Sequence, residues 1–169
     1  MEILEAIKQR RSCRQYKSDP VPEEKLNRIL EAARLAPSAR NSQSRKFVVV
    51  KGEEKRKELM KAANNQDFVG QAPIIIICVS TDPDNIMSCE VPTYAVDLSI
   101  AADHMILQAT SEGLGTCWIG AFSQVEVKRI LKIPENCKVV AMFPLGYPAD
   151  IPKEKSRKEL EEIVSFETF

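Results

Sequence analysis

Residues 93–122, TYAVDLSIAADHMILQATSEGLGTCWIGAF, decide the fold. Val96, Leu98, Ile100, Met105, Ile106 and Leu107 do not fall on one stripe, and Ala95, Ala101, Ala102 and Ala109 fill the gaps between them. The result is a helix apolar nearly all the way round, the pattern of a helix buried in a core. Asp97, Ser99, Asp103, His104 and Gln108 interrupt it, and buried polar groups need partners. Gly113 and Gly115 end it, glycine taking the left-handed cap at little cost. Thr116–Ile119 reads as a short strand closed by Gly120. A buried helix feeding a glycine-flanked strand is a core spine, and periodicity alone assigns it nothing more.

Outward from the spine, Pro73–Ser80 (PIIIICVS) is a continuous β-branched run, which predicts a strand buried on both faces. Lys46–Lys51 and Val139–Leu145 read as further strands, the latter ended by Gly146-Tyr147-Pro148. Asp19-Pro20-Val21-Pro22-Glu23-Glu24 opens a helix, with proline and acids in its first turn. Leu26, Ile29, Leu30, Ala33 and Leu35 form its buried side and Pro37 ends it. Glu53 to about Ala63 is a polar surface helix, broken by Asn64-Asn65-Gln66-Asp67. Ser123 and Glu126 form a capping box for a helix to Leu131, and Thr81–Pro92 is a loop. Helices and strands mix without strict alternation, so an α+β domain with four or more strands is expected, one domain over residues 1–169.

The totals bound the partners. Composition is that of a soluble globular protein, 44% hydrophobic and 28% charged. Lys+Arg and Asp+Glu are both 24, so no global field favours nucleic acid or an anionic membrane. The longest apolar run, Ile74–Val79, is too short to span a bilayer, and a charged first helix is no signal peptide. Cys13, Cys78, Cys89, Cys117 and Cys137 form no CxxC pair and no cluster with the single His104, which argues against a metal. Reduced thiols point to the cytoplasm. His104 reads as a satisfied core or interface residue, and Cys78 and Cys117 as inert apolar neighbours.

Glu2 to about Arg11 predicts a helix with Ile3, Leu4 and Ile7 as its apolar face. If it persisted, Arg10 and Arg14 would continue that inward face. Lys8, Arg10, Arg11, Arg14 and Lys17 fall within ten residues that contain no acid. They form either a solvated patch or a pocket for a small polyanion, since Arg holds phosphate through paired donors; Ser12 adds a neutral donor. The loop Ser38–Ser44 is rich in small residues and side-chain amides. It reads equally as an ordinary loop or as one able to hydrogen-bond a flat heterocycle. The tail carries Lys153, Lys155, Arg157 and Lys158, then a short amphipathic segment from Leu160 to Val164.

Together the chain resembles the short form of the flavin-dependent nitroreductase family. The resemblance rests on Arg10-Arg11-Ser12-Cys13-Arg14-Gln15-Tyr16, on Ala36-Pro37-Ser38-Ala39-Arg40-Asn41-Ser42-Gln43, on Ala72-Pro73, on Gly113-Leu114-Gly115-Thr116-Cys117-Trp118-Ile119-Gly120, and on Gly146-Tyr147-Pro148-Ala149 with Lys155 and Arg157. It implies a nitroreductase-like sandwich, with a central mixed or antiparallel sheet flanked by helices, in a homodimer holding FMN at each end of its interface. It implies that Arg10, Ser12, Lys155 and Arg157, within a basic run that includes Arg11, hold the FMN phosphate, with Arg14 at the pyrimidine edge. Pro37, Ser38, Ala39 and Asn41 would cross to the other subunit's flavin. Trp118, Ile119 and Gly120 would back the ring, the Gly120 N–H lying near flavin N5, and Asn65 would stand near the ring. NADH or NADPH would reduce the flavin by hydride transfer, then a nitroaromatic, quinone or similar acceptor would oxidise it, in ping-pong order and with no side chain as acid or base. An FMN store or redox sensor without turnover is the rival reading. The family's usual Pro-Trp after Asn-x-Gln is replaced by Ser44-Arg45, and only 82–93 is available as a lid.

Overall fold

Seven consecutive buried residues from Ile74 to Ser80 need cover on both faces. The computed structural model, which describes residues 2–150 and 152–169, supplies it. Along the chain the elements are α1 (Ile3–Gln9), α2 (Glu23–Leu35), β1 (Arg45–Val50), α3 (Glu53–Ala62), α4 (Asp67–Gln71), β2 (Ile74–Ser80), α5 (Thr93–Ser111), β3 (Gly115–Thr116), α6 (Gln124–Leu131) and β4 (Lys138–Gly146). The four strands form one antiparallel sheet in the order β1-β2-β4-β3. The expected α+β layering is therefore present.

Strand side chains alternate with a period of two, and β2 divides its residues accordingly. Ile74, Ile76 and Cys78 join Phe143 and Leu145 of β4 beneath α2 and α5, against Leu26, Ile29, Leu98 and Met105. Ile75, Ile77 and Val79 pack on the opposite layer with Leu59 of α3 and Val127 and Ile130 of α6. Between Cys78↔Ala141 and Val79↔Val139 the register shifts, leaving Val140 as the extra residue of a bulge. The bulge lets Val139 and Met142, three apart, share one face.

The strand predicted over Thr116–Ile119 is regular only at Gly115–Thr116. Gly115 pairs with Gly146 and Thr116 with Leu145, and Ile119 rejoins at Met142. The same register sets Cys117 opposite Pro144, which has no N–H to give, so the ladder lapses there. Gly113 has the left-handed φ of 76°, but Gly115 is a strand residue rather than a helix stop. α1 ends at Gln9, so Arg14 does not extend its face. The predicted apolar face of α1 is turned outward in the protomer, with Ile3, Leu4 and Ile7 at 76%, 60% and 49% exposure. His104 is exposed on α5. Ser123 caps α6 by accepting the Glu126 N–H at 3.3 Å, while the Glu126 carboxylate pairs with Arg129 instead.

α2 is stapled to the end of α5. Arg28 Nε and Nη2 donate to the two Glu112 oxygens at 2.5 and 2.9 Å, and Lys25 Nζ donates to the Glu112 carbonyl. The Arg28 hydrogen bond holds the Glu112 carboxyl below its ordinary range, against the opposing effect of desolvation. A depressed pKa contributes stability that is present above the unfolded value, about 4.3, and lost as pH falls through the folded one. The thermal midpoint is therefore expected to drop below about pH 4, and Glu112→Gln to flatten that acid limb. Arg28 is half exposed and the pair is screened by solvent, so the shift of the midpoint is small, on the order of a few °C in a chain of this size. Thermal denaturation from neutral pH downward checks it; an unchanged acid limb in Glu112→Gln would assign the acid loss to other carboxylates.

Candidate cofactor site

After α1 the chain runs extended along the end of the sheet. Ser12 bridges Thr116, and the Cys13 N–H donates to the Thr116 carbonyl at 2.8 Å. This approach requires glycine at 115, because a Cβ there would lie 2.8 Å from Cys13 Cβ. Farther on, the Lys17 N–H donates to Tyr147 and the Ala149 N–H to Gln15, each at 2.9 Å. The segment 12–17 is thus laced to the chain leaving β4, and that lacing carries residues 152–157 beside Arg10.

The two segments enclose a cavity of about 250 Å³. Lys8, Arg10, Arg11, Ser12 and Arg14 line it from one side and Lys153, Glu154, Lys155 and Arg157 from the other. Seven cations face one acid there, a donor set suited to a phosphate dianion. Arg11 is already engaged: Nη1 donates to the Lys8 and Arg10 carbonyls, and Nη2 stands 3.4 Å from Glu154. It fastens the end of α1 to the tail. Beneath the cations, burial pushes the Cys117 thiol up, outweighing the lowering pull of Arg14 and Lys155. Cys78 is pushed to about 12 by burial alone. Both thiols are therefore protonated at neutral pH.

Arg14 also borders a second opening, with Gln15, Tyr16, Asp67, Phe68, Gln71 and Ala149. Its guanidinium lies 5.9 Å from the Phe68 ring centroid, within reach of a cation–π contact. Cys117 follows Thr116 immediately. Two steps on, Ile119 is buried in the core with its N–H and carbonyl paired to Met142 of β4, whereas Trp118 is 41% exposed. Gly120 is exposed and open on its Cβ side.

Pro37, Ser38, Ala39 and Asn41 lie apart from the cavity, in the loop that follows α2. Asp97 of α5, 7% exposed, accepts the Ala39 N–H at 3.1 and 3.2 Å. Its polar partner, demanded by burial on an apolar helix, is thus this loop. Within one protomer the structure gathers Arg10, Arg11, Ser12, Arg14, Lys155 and Arg157, with Trp118–Gly120 one strand-step away, and leaves 37–41 apart. Sequence reasoning missed Phe68 and the α4 turn that carries it. It also assigned no role to Arg45. A five-residue helix is too short for periodicity; the Phe68-Val69 pair after four polar residues is the one local signal.

Among the described residues no group of three or more His, Cys, Asp or Glu is placed to hold a metal ion. No helix among them is long and apolar enough to cross a membrane.

A family model described as Nitroreductase family matches residues 7–66 and 56–147. A protein of Methanothermobacter thermautotrophicus, provisionally named NADH dehydrogenase/NAD(P)H nitroreductase, is 38% identical over 158 residues, covering 90% of this chain and 80% of its own. A crystal structure of a nitroreductase family protein from Clostridium difficile superposes with a TM-score of 0.89 at 34% identity, over 100% of both chains. An FMN-dependent nitroreductase from the same species has a TM-score of 0.84 at 30% identity, over 98% of this chain and 99% of its own.

Proposed function

The chain belongs to the nitroreductase family, and from that premise we propose that it is an NAD(P)H-dependent oxidoreductase with FMN as its cofactor. Its acceptor is a small electron-poor molecule such as a nitroaromatic or a quinone. The observation that carries the reading is the cavity where cations from both ends of the chain converge on one small volume. FMN supplies the hydride chemistry when bound. Arg10, Lys155, Arg157 and the Ser12 hydroxyl hold the phosphate, and Arg11 keeps the tail in place for them. Arg14, between the two openings, holds the pyrimidine edge. The Gly120 N–H is a neutral donor for negative charge on the ring, and Trp118 offers an exposed face behind it. No side chain exchanges a proton.

The same proposal includes a homodimer, in the cytoplasm, where the free thiols stay reduced. Ile3 and Leu4 of α1 face solvent in the protomer, and Val96, Ile100 and Leu107 of α5 are incompletely buried. A second copy covers these faces and brings its Pro37, Ser38, Ala39 and Asn41 to the ring. Leu160, Ile163 and Phe166 of the tail are exposed as well and add to the surface for that copy.

One opening beside Arg14 serves donor and acceptor in turn. Double-reciprocal plots of NAD(P)H oxidation at several acceptor concentrations are accordingly expected to be parallel. Intersecting lines would require a separate nicotinamide site. A yellow protein that does not oxidise NAD(P)H with any acceptor would be an FMN store or sensor instead.

A further inference from the structure

Arg40, Asn41 and Gln43 have φ of 53°, 54° and 52°, in the left-handed region that side-chain-bearing residues enter rarely. Three such residues in one short loop persist only where their surroundings over-determine the shape. Two side chains, Arg45 and Asp97, do so here. Arg45, first residue of β1, spreads its guanidinium over three carbonyls: Nη1 donates to Pro37 at 3.2 Å, and Nη2 to Arg34 at 3.3 Å and to Ala36. These carbonyls close α2 and open the loop, where a helix has no partners of its own and its dipole attracts a cation. From the other side, Asp97 receives the Ala39 N–H in both its oxygens. Ser38 Oγ accepts the Gln43 N–H at 3.0 Å and closes the turn.

We propose that Arg45 is a positioning residue for the flavin site of the second copy, fixing with Asp97 the strained 38–43 turn in the shape that reaches that ring. This rests on the FMN-dimer reading above. Ser44-Arg45, where the family pattern has Pro-Trp, is then the substitution of a forked donor for a packed ring. The fork suits the task because it meets several acceptors in one plane, which a lysine cannot.

The test pairs Arg45→Met with Arg10→Ala. Arg45→Met is expected to remain a dimer and to lose FMN and riboflavin affinity equally, by about tenfold, because the turn meets the ring and not the phosphate. A merely structural arginine would lower the thermal midpoint and leave riboflavin affinity unchanged, and that result overturns the proposal. Co-expression of an Arg45→Met chain with a differently tagged Arg10→Ala chain gives a heterodimer. If the turn serves the opposite copy, one of its sites carries both changes and the other neither. About half of wild-type turnover should then return at an FMN concentration that leaves both parent homodimers nearly empty. A heterodimer no more active than its parents overturns the assignment in trans. If Arg45→Met does not fold, Arg45→Lys, which keeps the charge without the fork, carries the same comparison. Wild-type protein that binds no flavin refutes the underlying reading, and that control precedes every variant.

Discussion

Leu4→Asp is expected to give a colourless monomer. Leu4 is 60% exposed in the protomer, so the substitution costs the fold of one chain little. In a two-fold dimer it acts twice. Losing burial of a leucine on each side removes about 3–6 kcal/mol, a hundred- to ten-thousand-fold weakening of association. A carboxylate desolvated without a partner adds to that. Flavin leaves with the dimer, because the 37–41 segment lies apart from the phosphate cavity of its own chain. Sedimentation at low micromolar concentration together with flavin absorbance checks both effects. A monomer that keeps FMN and full turnover would show that one protomer is a complete site. Met105, on α5, is no substitute probe: it is buried in the protomer's own core, and a charge there would unfold the chain before testing any interface.

Arg10→Ala is expected to weaken FMN about 10- to 100-fold and to leave riboflavin unaffected. A charge-assisted hydrogen bond contributes about 1.5–3 kcal/mol, and each 1.4 kcal/mol is about tenfold. Riboflavin lacks the phosphate and so does not use that bond. Titration of the apoprotein with each ligand, followed by fluorescence, separates the two. Equal losses would remove Arg10 from the phosphate role and point instead to damage where 12–17 is laced to the sheet.

The sheet and its two helical layers were legible because β2 is an unbroken β-branched run and α5 is long and apolar nearly all the way round. Ile74–Ser80 could only be a strand covered twice. What was illegible depends on partners distant in sequence. β3 lapses because Pro144, not any residue of β3, withholds an N–H. Gly115 looked like a helix stop, since its close neighbour Cys13 lies a hundred residues away. The apolar face of α1 was visible in the sequence, but not that its own chain leaves it uncovered. At the site, the basic residues near both ends could be read from charge. Their convergence could not, because it depends on the backbone bonds of 12–17 to Thr116 and Tyr147. Arg45 was visible as a departure from the family pattern, while its role needed the three carbonyls to be placed around it.

Arg10 and Arg157 face one cavity from opposite ends of the chain. On the ribosome the first is made long before the second, and nothing can close the cavity until β3 and β4 have paired and the tail has been drawn in. Capture of the flavin is then a late event in biosynthesis, one that waits for residues 152–157 to leave the ribosome. Chains stalled before Lys153 would accumulate without colour and without redox activity, so an incomplete product could not squander reduced nicotinamide.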